Sequence, residues 1–290
     1  MKPAGFAYHA PATLREAVEL LQQHGEDAKL LAGGQSLVPM MNLRLAQPSV
    51  LIDLNRVDGL AYVRPDGDDR IAVGAMTRHD EVATSDLIRE HCPLLASAAA
   101  RIGYLAIRHR GTLGGSLAHA DPVSEMPCVA LTLDAELTVI GPAGERVIPA
   151  VDFFQTYFTT SLAPDELLRE IRFPVTVPGE GWGFHESARK VGDFAIVAVA
   201  ARLRMVNGEV GEAWLGIAGV SDRPVRATAA EAALTGRPLD EGRDEASELA
   251  AAAVDSESDI HASAEFRRRL VRVLTRRALA DAASIAERAT

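Results

Sequence analysis

Cysteine is nearly missing: Cys92 and Cys128 are the two in a chain of 290 residues. Two thiols cannot make a disulfide framework, nor an iron–sulfur cluster or structural zinc site from this chain alone. The bland reading is two isolated thiols packed as small apolar groups. Long apolar runs are missing as well. No stretch nears the ~18 uninterrupted apolar residues of a membrane span. Met1 to Ala10 lacks the basic region and apolar run of a secretory signal, so the expected location is the cytoplasm. Positive charge is in deficit, with a formal net charge of −10, which argues against a nucleic-acid surface. An anionic small molecule stays compatible, because backbone N–H groups hold phosphates without net positive charge.

What is present is ordinary in bulk. Apolar residues make up 48% and charged residues 24%, as in a soluble globular protein, and the length allows more than one compact domain. Thr13-Leu-Arg-Glu16 reads as a capping box opening an amphipathic helix with Leu14, Val18 and Leu21 on one face. Gly25 stands where that helix should stop. Lys29 to Ala32, Val50 to Leu54 and Arg70 to Met76 read as short strands, the last reached through an Asp66-Gly67 turn. Helical stretches follow around Glu81 to Glu90 and Leu94 to Ile102. Asp121-Pro122 then opens an apolar segment from Val123 to Leu133, with Pro122 suited to the first turn of a helix. Glu136 to Ile140 and Glu145 to Ile148 flank Gly141-Pro-Ala-Gly144 as a hairpin.

The pattern changes after about Pro174. Phe194 to Met205 and Val210 to Val220 are long apolar segments joined by Asn207-Gly208, a strong hairpin signal. From Thr228 onward the chain reads as helices. The longest spans Ser263 to Arg288, with Phe266, Leu270, Val273 and Leu274 as its apolar stripe. An antiparallel sheet covered by helices, an α+β arrangement, is expected there.

Chemistry concentrates in two segments, Leu31-Ala-Gly-Gly-Gln-Ser-Leu37 and Gly111-Thr-Leu-Gly-Gly-Ser-Leu117. Glycine permits positive φ and close backbone approach, so consecutive N–H groups can converge on one anion. Ser36, Thr112 and Ser116 add hydroxyl donors. Two such loops suit a diphosphate-bearing ligand; taken singly, each is equally a tight turn. Neither carries the G-x-G-x-x-G or G-x-x-x-x-G-K pattern, which disfavours Rossmann and P-loop readings.

Together the segments are more specific. Ala32-Gly-Gly-Gln-Ser-Leu-Val-Pro39, Asn42-Leu-Arg-Leu45, Pro48 and Leu51-Ile-Asp-Leu54 resemble the first FAD motif of the medium subunit of aerobic carbon monoxide dehydrogenases. Ile107-Arg-His-Arg-Gly-Thr-Leu-Gly-Gly-Ser116, with Ala118-His-Ala-Asp-Pro122 and Pro127, resembles the second. Phe184-His-Glu, Arg189, Gly192-Asp-Phe-Ala-Ile-Val197, Arg223-Pro224, Arg226-Ala227, Asp259 and Phe266-Arg-Arg-Arg269 extend the resemblance to essentially the whole chain.

The family belongs to the xanthine dehydrogenase type of molybdenum hydroxylases. The resemblance implies an α+β protein. An FAD-binding domain of the vanillyl-alcohol-oxidase-like kind would span 1–175, in subdomains of about 1–56 and 57–175. A C-terminal domain of antiparallel sheet with helices would span 176–290. It implies FAD, and two partner chains: a large molybdopterin subunit and a small subunit with two [2Fe–2S] clusters, as a dimer of heterotrimers. No His or Cys in either motif is placed as an obvious attachment point, so the FAD is expected to be non-covalent. Electrons would pass from the clusters through FAD to an external acceptor. Carried over, Leu31, Ala32, Gly33, Gly34, Gln35, Ser36 and Leu37, with Thr112, Gly114, Gly115 and Ser116, would wrap the diphosphate and ribityl chain. Ile102 and Gly103 would lie beside the flavin. Asp121 and Glu125 would accept from sugar hydroxyls, and Leu168 with a residue near His185 or Lys190 would approach the ring from the second domain.

Other polar residues have plainer readings. His79 and His91 read as solvated or capping, whereas His119, inside the second motif, is as much a flavin contact as not. Arg108 and Arg110 suit phosphate, solvent or a partner chain. The Arg267-Arg-Arg269 run reads as a solvated helix face, a partner contact being the alternative. No nucleophile or acid–base pair for substrate chemistry is evident. A free-standing FAD oxidoreductase of the same superfamily and a non-catalytic nucleotide-binding protein are the rival readings. Substrate (carbon monoxide, purine, aldehyde or N-heterocycle) and acceptor (quinone, NAD or oxygen) stay open.

Overall fold

The computed structural model describes residues 2–288. The first sheet is parallel: β1 (Ala7–His9), β2 (Ala28–Leu31) and β3 (Val50–Asp53), ordered β1-β3-β2. Helix α1 (Leu14–His24) starts at the capping box. The Thr13 hydroxyl accepts from Glu16 N–H at 3.2 Å, and the Glu16 carboxylate accepts from Thr13 N–H at 3.3 Å. Helix α2 (Leu37–Asn42) follows the first glycine loop.

The second sheet has five antiparallel strands ordered β4-β5-β10-β6-β7. Its first pair is β4 (Val63–Asp66) and β5 (Arg70–Gly74). The chain then leaves through α3 (His79–Thr84), α4 (Asp86–His91), α5 (Pro93–Ala99), α6 (Leu105–Arg108), α7 (Leu113–His119) and α8 (Glu125–Thr132). It returns as β6 (Glu136–Gly141) and β7 (Gly144–Pro149). After α9 (Ala150–Phe153) and the small hairpin β8 (Phe154–Thr156) and β9 (Thr159–Thr160), β10 (Leu167–Pro174) inserts between β5 and β6. The helical stretch expected from Glu81 to Glu90 is broken at Ser85, which ends α3 and caps α4. Pro122 lies before α8 rather than in its first turn, and its carbonyl accepts from Gly219 N–H at 2.9 Å.

The third sheet, β11 (Glu180–Ala188), β12 (Ala195–Val206), β13 (Glu209–Ala218) and β14 (Val225–Arg226), is antiparallel in chain order. Asn207 and Gly208 both take positive φ at the β12–β13 turn, the requirement of a tight hairpin. Both faces of β12 are buried. Val197, Val199, Ala201 and Leu203 pack under α10 (Thr228–Leu234), α11 (Leu239–Ala252) and α12 (Ala264–Arg288). Ala198 and Ala200 join Phe184 in a core continuous with the second sheet and with α5 and α8. The third sheet is therefore a wall shared between helices on one side and the N-terminal region on the other.

The stripe on α12 differs from the expected one. Its buried face is Arg267, Val271, Leu274, Ala278 and Ala282, whereas Phe266 is exposed. Close approach decides this. A Cβ on Gly181 or Gly183 of β11 would fall 1.8 Å from Ala282 O or 2.2 Å from Ala278 O, so the helix backbone lies on the strand through its smallest residues. Arg267 is correspondingly no solvated residue. It is 7% exposed and donates to Ile196 O at 2.7 Å, Gly219 O at 2.8 Å and the Asp259 carboxylate at 2.6 Å.

Replacing Arg267 by Met keeps the bulk and strands two strand-end carbonyls without donors. We expect a loss of about 2–3 kcal/mol, read as a lower urea midpoint; an unchanged midpoint would contradict the clamp.

Candidate functional site

The first glycine loop leaves β2 and enters α2. Gly34 takes φ +73°, a left-handed conformation that L side chains rarely adopt. Among the described residues, the backbone N–H groups of Gly33, Gly34, Gln35 and Ser36 have no protein acceptor. The loop spends its carbonyls instead: Gly34 O accepts from Val38 N–H at 3.2 Å and Ser36 O from Met40 N–H at 3.1 Å. Four adjacent unsatisfied donors at a helix start form the kind of nest that holds an anion.

The second loop uses glycine differently. Leu113 N–H donates to Thr77 O, Gly114 N–H to Ala75 O and Ser116 N–H to Thr112 O, while Thr112 Oγ1 caps α7 by accepting from Gly115 N–H at 3.1 Å. These amides are committed to the protein, and only Thr112 N–H in this run lacks a described acceptor. A Cβ on Gly114 would lie 2.5 Å from Ala75 Cβ, and one on Gly115 would lie 3.3 Å from Ala32 Cβ. Glycine here lets α7 sit against the end of β5 and against the first loop.

The loops touch. A Cβ on Gly33 would fall 2.4 Å from Arg110 O and 2.7 Å from Gly111 Cα. The nest of the first loop thus lies directly on the backbone of the second loop. Under Gly111 sits His79, which was expected to be solvated or capping; it is 4% exposed. Burial, with the charges of Arg108 and Arg78, drives its pKa down to about 4, so the ring is a neutral packing element.

Beyond α7, Ser116 Oγ and Ser124 Oγ lie 2.9 Å apart, and Asp121 Oδ1 accepts from Val123 N–H at 3.1 Å. Glu125 is 6% exposed. Burial, reinforced by the carboxylates of Glu186 and Asp121, raises its pKa to about 7, so it is a half-protonated acid at neutral pH. The His119 ring is half-buried against Phe158, with centroids 5.0 Å apart.

Arg108 Nη1 donates to Ile102 O and Gly103 O, both at 3.0 Å, and fixes the turn after α5. Ile102 packs on the same apolar cluster that contains buried Leu168 of β10. Lys190 lies in the exposed loop between β11 and β12. That loop reaches the same turn, since a Cβ on Gly192 would lie 3.1 Å from Gly103 O and from the Tyr104 ring. His185 is not brought there. It shares the face of β11 with Gly181 and Gly183, and its Nε2 lies 2.8 Å from Asp281 Oδ2 of α12. Val191 and Phe194, 91% and 66% exposed, add apolar surface beside Tyr104 that the sequence reading missed.

Cys92 and Cys128 are fully buried, with thiols pushed up to about 12 by burial, and pack as small apolar groups. Among the described residues no cluster of His, Cys, Asp or Glu could hold a metal ion. Two surface cavities, about 360 Å³ beside α1 and 390 Å³ between α9 and the β13–β14 turn, lie away from the glycine loops. The chemistry of the donor set fits an extended dinucleotide. A nest of N–H groups suits the diphosphate, the Ser116–Ser124 hydroxyl pair suits sugar hydroxyls, and the Ile102–Gly103 turn with the exposed Tyr104 ring suits a planar ring.

These features suit a chain that binds an extended, diphosphate-bearing ligand across two loops. Comparison with known proteins gives the family. Residues 4–176 match the FAD binding domain in molybdopterin dehydrogenase, and residues 182–282 match the CO dehydrogenase flavoprotein C-terminal domain. The chain belongs to this family of FAD-binding medium subunits. It is 40% identical to the 6-hydroxypseudooxynicotine dehydrogenase complex subunit alpha of Paenarthrobacter nicotinovorans, over 97% of this chain and 96% of that one. A carbon monoxide dehydrogenase structure from Hydrogenophaga pseudoflava superposes with a TM-score of 0.96 at 39% identity, covering 98% and 99% of the two chains. Quinoline 2-oxidoreductase from Pseudomonas putida 86 superposes with a TM-score of 0.93 at 37% identity, again over 98% and 99%.

Two outcomes are expected. Gly33→Ala must push the loops apart, and FAD affinity should fall ~10- to 100-fold while the C-terminal sheet keeps its circular dichroism; unchanged affinity would rule out the contact. For Glu125 the folded pKa lies above the unfolded one. Its contribution to stability is therefore full below the ordinary carboxylate range and is lost as pH rises through about 7. The wild-type chain without added FAD should lose up to ~3 kcal/mol over that window, and Glu125→Gln should flatten the profile. Identical pH profiles for the two proteins would disprove the burial argument.

Proposed function

We propose that this chain is the FAD-bearing middle member of a three-chain molybdenum hydroxylase, working in the cytoplasm as part of a dimer of heterotrimers. FAD supplies a centre that takes electrons singly from [2Fe–2S] clusters of a small partner and passes one or two to an external acceptor. The observation that carries the reading is the run of four unsatisfied N–H groups, Gly33 to Ser36, pressed by Gly33 onto the second loop. Ala32 to Ser36 would hold the diphosphate, with Leu31 and Leu37 flanking. Thr112, Gly114, Gly115 and Ser116 would shape the facing wall. Asp121, His119 and Glu125 would meet the hydroxyl-bearing part, with Glu125 able to donate as well as accept. Ile102, Gly103, Leu168 and Lys190 would bound the ring, and His185 drops out of the set. The residues hold and orient; none supplies acid–base chemistry to a substrate.

Relatives named for 6-hydroxypseudooxynicotine, carbon monoxide and quinoline share 37–40% identity with nearly the whole chain. One flavin chain serving such different molecules supports a division in which the large molybdopterin chain chooses the substrate. Among the described residues no helix is long and apolar enough to cross a membrane.

Co-expressed with its neighbouring large and small chains, the protein should purify as a complex with all three. The isolated chain should take up FAD, undergo reduction by dithionite, and oxidise none of the complex's substrates. Acid precipitation should release all the yellow colour. Flavin retained on the precipitate would contradict non-covalent binding, and substrate turnover by the pure chain would favour a free-standing flavoenzyme.

A further inference from the structure

The two glycine loops belong to different sheets, and a set of polar side chains runs between them. Asn55, just past β3, donates from Nδ2 to Ala32 O at 2.9 Å, and its Oδ1 accepts from Arg78 Nη2 at 2.6 Å. The other arm of the same guanidinium, Nη1, donates to Arg110 O. Arg110 O is the atom on which Gly33 lies. The near end of this line is itself anchored. Asp53 Oδ1 accepts from the Asn55 backbone N–H at 2.9 Å, and Asp53 Oδ2 accepts from the Tyr8 hydroxyl at 2.6 Å. Arg78 is half-buried and immediately precedes α3, whose first residue, His79, donates its backbone N–H to Gly111 O at 3.0 Å.

Glycine packing alone sets only a minimum distance between the loops. It does not stop them from sliding or separating, because van der Waals contact between backbone atoms is weakly directional. The Asn55–Arg78 line is directional at every link, and the guanidinium is the side chain whose N–H groups point two ways in a fixed plane. We propose that Arg78 and Asn55 are positioning residues of the FAD site, a strut that holds the Gly33–Ser36 nest at a set spacing from Arg110–Thr112. The proposal rests on the FAD reading above and deepens it. Neither residue needs to touch the dinucleotide for its affinity to depend on them.

Three full-length variants separate this from plainer roles: Arg78→Lys, Asn55→Ala and the double variant. Lysine keeps the positive charge near the diphosphate and loses the two-way fork, so a purely electrostatic role would leave Arg78→Lys unchanged. Each single variant should weaken FAD binding about 10- to 100-fold, measured by quenching of flavin fluorescence. The double variant should be no weaker than the worse single one, since either change breaks the same line. The melting temperature of the FAD-free chain and the visible circular dichroism of the saturated flavin should match wild type. Unchanged affinity in Arg78→Lys, additive losses in the double variant, or losses that follow the melting temperature would each overturn the strut. A wild-type chain that takes up no FAD would overturn the FAD reading itself, and the strut with it.

Discussion

The site depends on one contact, backbone against backbone, where Gly33 of the first loop meets Arg110 and Gly111 of the second. No side chain fits between them: even a methyl group would stand 2.4 Å from a carbonyl oxygen. Because the nest follows β2 of the first sheet and the loop it meets packs at the end of β5 of the second, this touch joins two sheets of opposite type, one parallel and one antiparallel. The remaining arrangements follow from keeping it. His79 is buried as a neutral ring because it props up Gly111, and Gly114 is bare because α7 must lie against Ala75. The two glycine pairs look alike in the sequence and do different work. One leaves its amides without protein acceptors; the other gives its amides to the protein so that a helix can come close.

Much of this was legible beforehand. The capping box at Thr13, the hairpin at Asn207-Gly208 and the short strands around Leu30 and Ile52 follow from local chemistry and appear within a residue or two. The glycine pairs marked two loops that the structure brings into contact. Residues whose role depends on a distant partner were not legible. Arg267 reads as one of three arginines on a helix, and only the carbonyls of Ile196 and Gly219, far off in sequence, make it a buried clamp. Arg78 and Asn55 carry no local signal either, since their acceptors lie on other loops. The α12 stripe was misplaced because large apolar residues were weighted over small ones, and small ones permit the closest packing. His185 could have been assigned from alternation alone. Gly181, Gly183 and His185 share one face of β11, while Trp182, Phe184 and Glu186 share the other; Phe184 belongs to the inner core, so its neighbour had to face outward.

The C-terminal sheet has a place in the site as well as a fold of its own. β12 is buried on both sides, and the loop that leads into it, with Lys190, Val191 and Phe194, lies on the Ile102–Gly103 turn. Arg108 holds that turn through its carbonyls, and the Gly192 loop packs on it. A ring seated there would have one wall from each half of the chain, so its surroundings respond to how the halves pack.

The covering of β11 by α12 links distant parts of the chain. The glycines at 181 and 183 leave that part of the strand's outer face bare, and the α12 backbone fills it at Ala278 and Ala282. Arg267 of that helix binds Gly219 O, while Gly219 N–H reaches back to Pro122 O beside the second loop. Gly219 is thus a relay between α12 and the segment that follows α7: its carbonyl faces the helix and its amide faces Pro122, so a displacement of either neighbour is passed through one residue to the other.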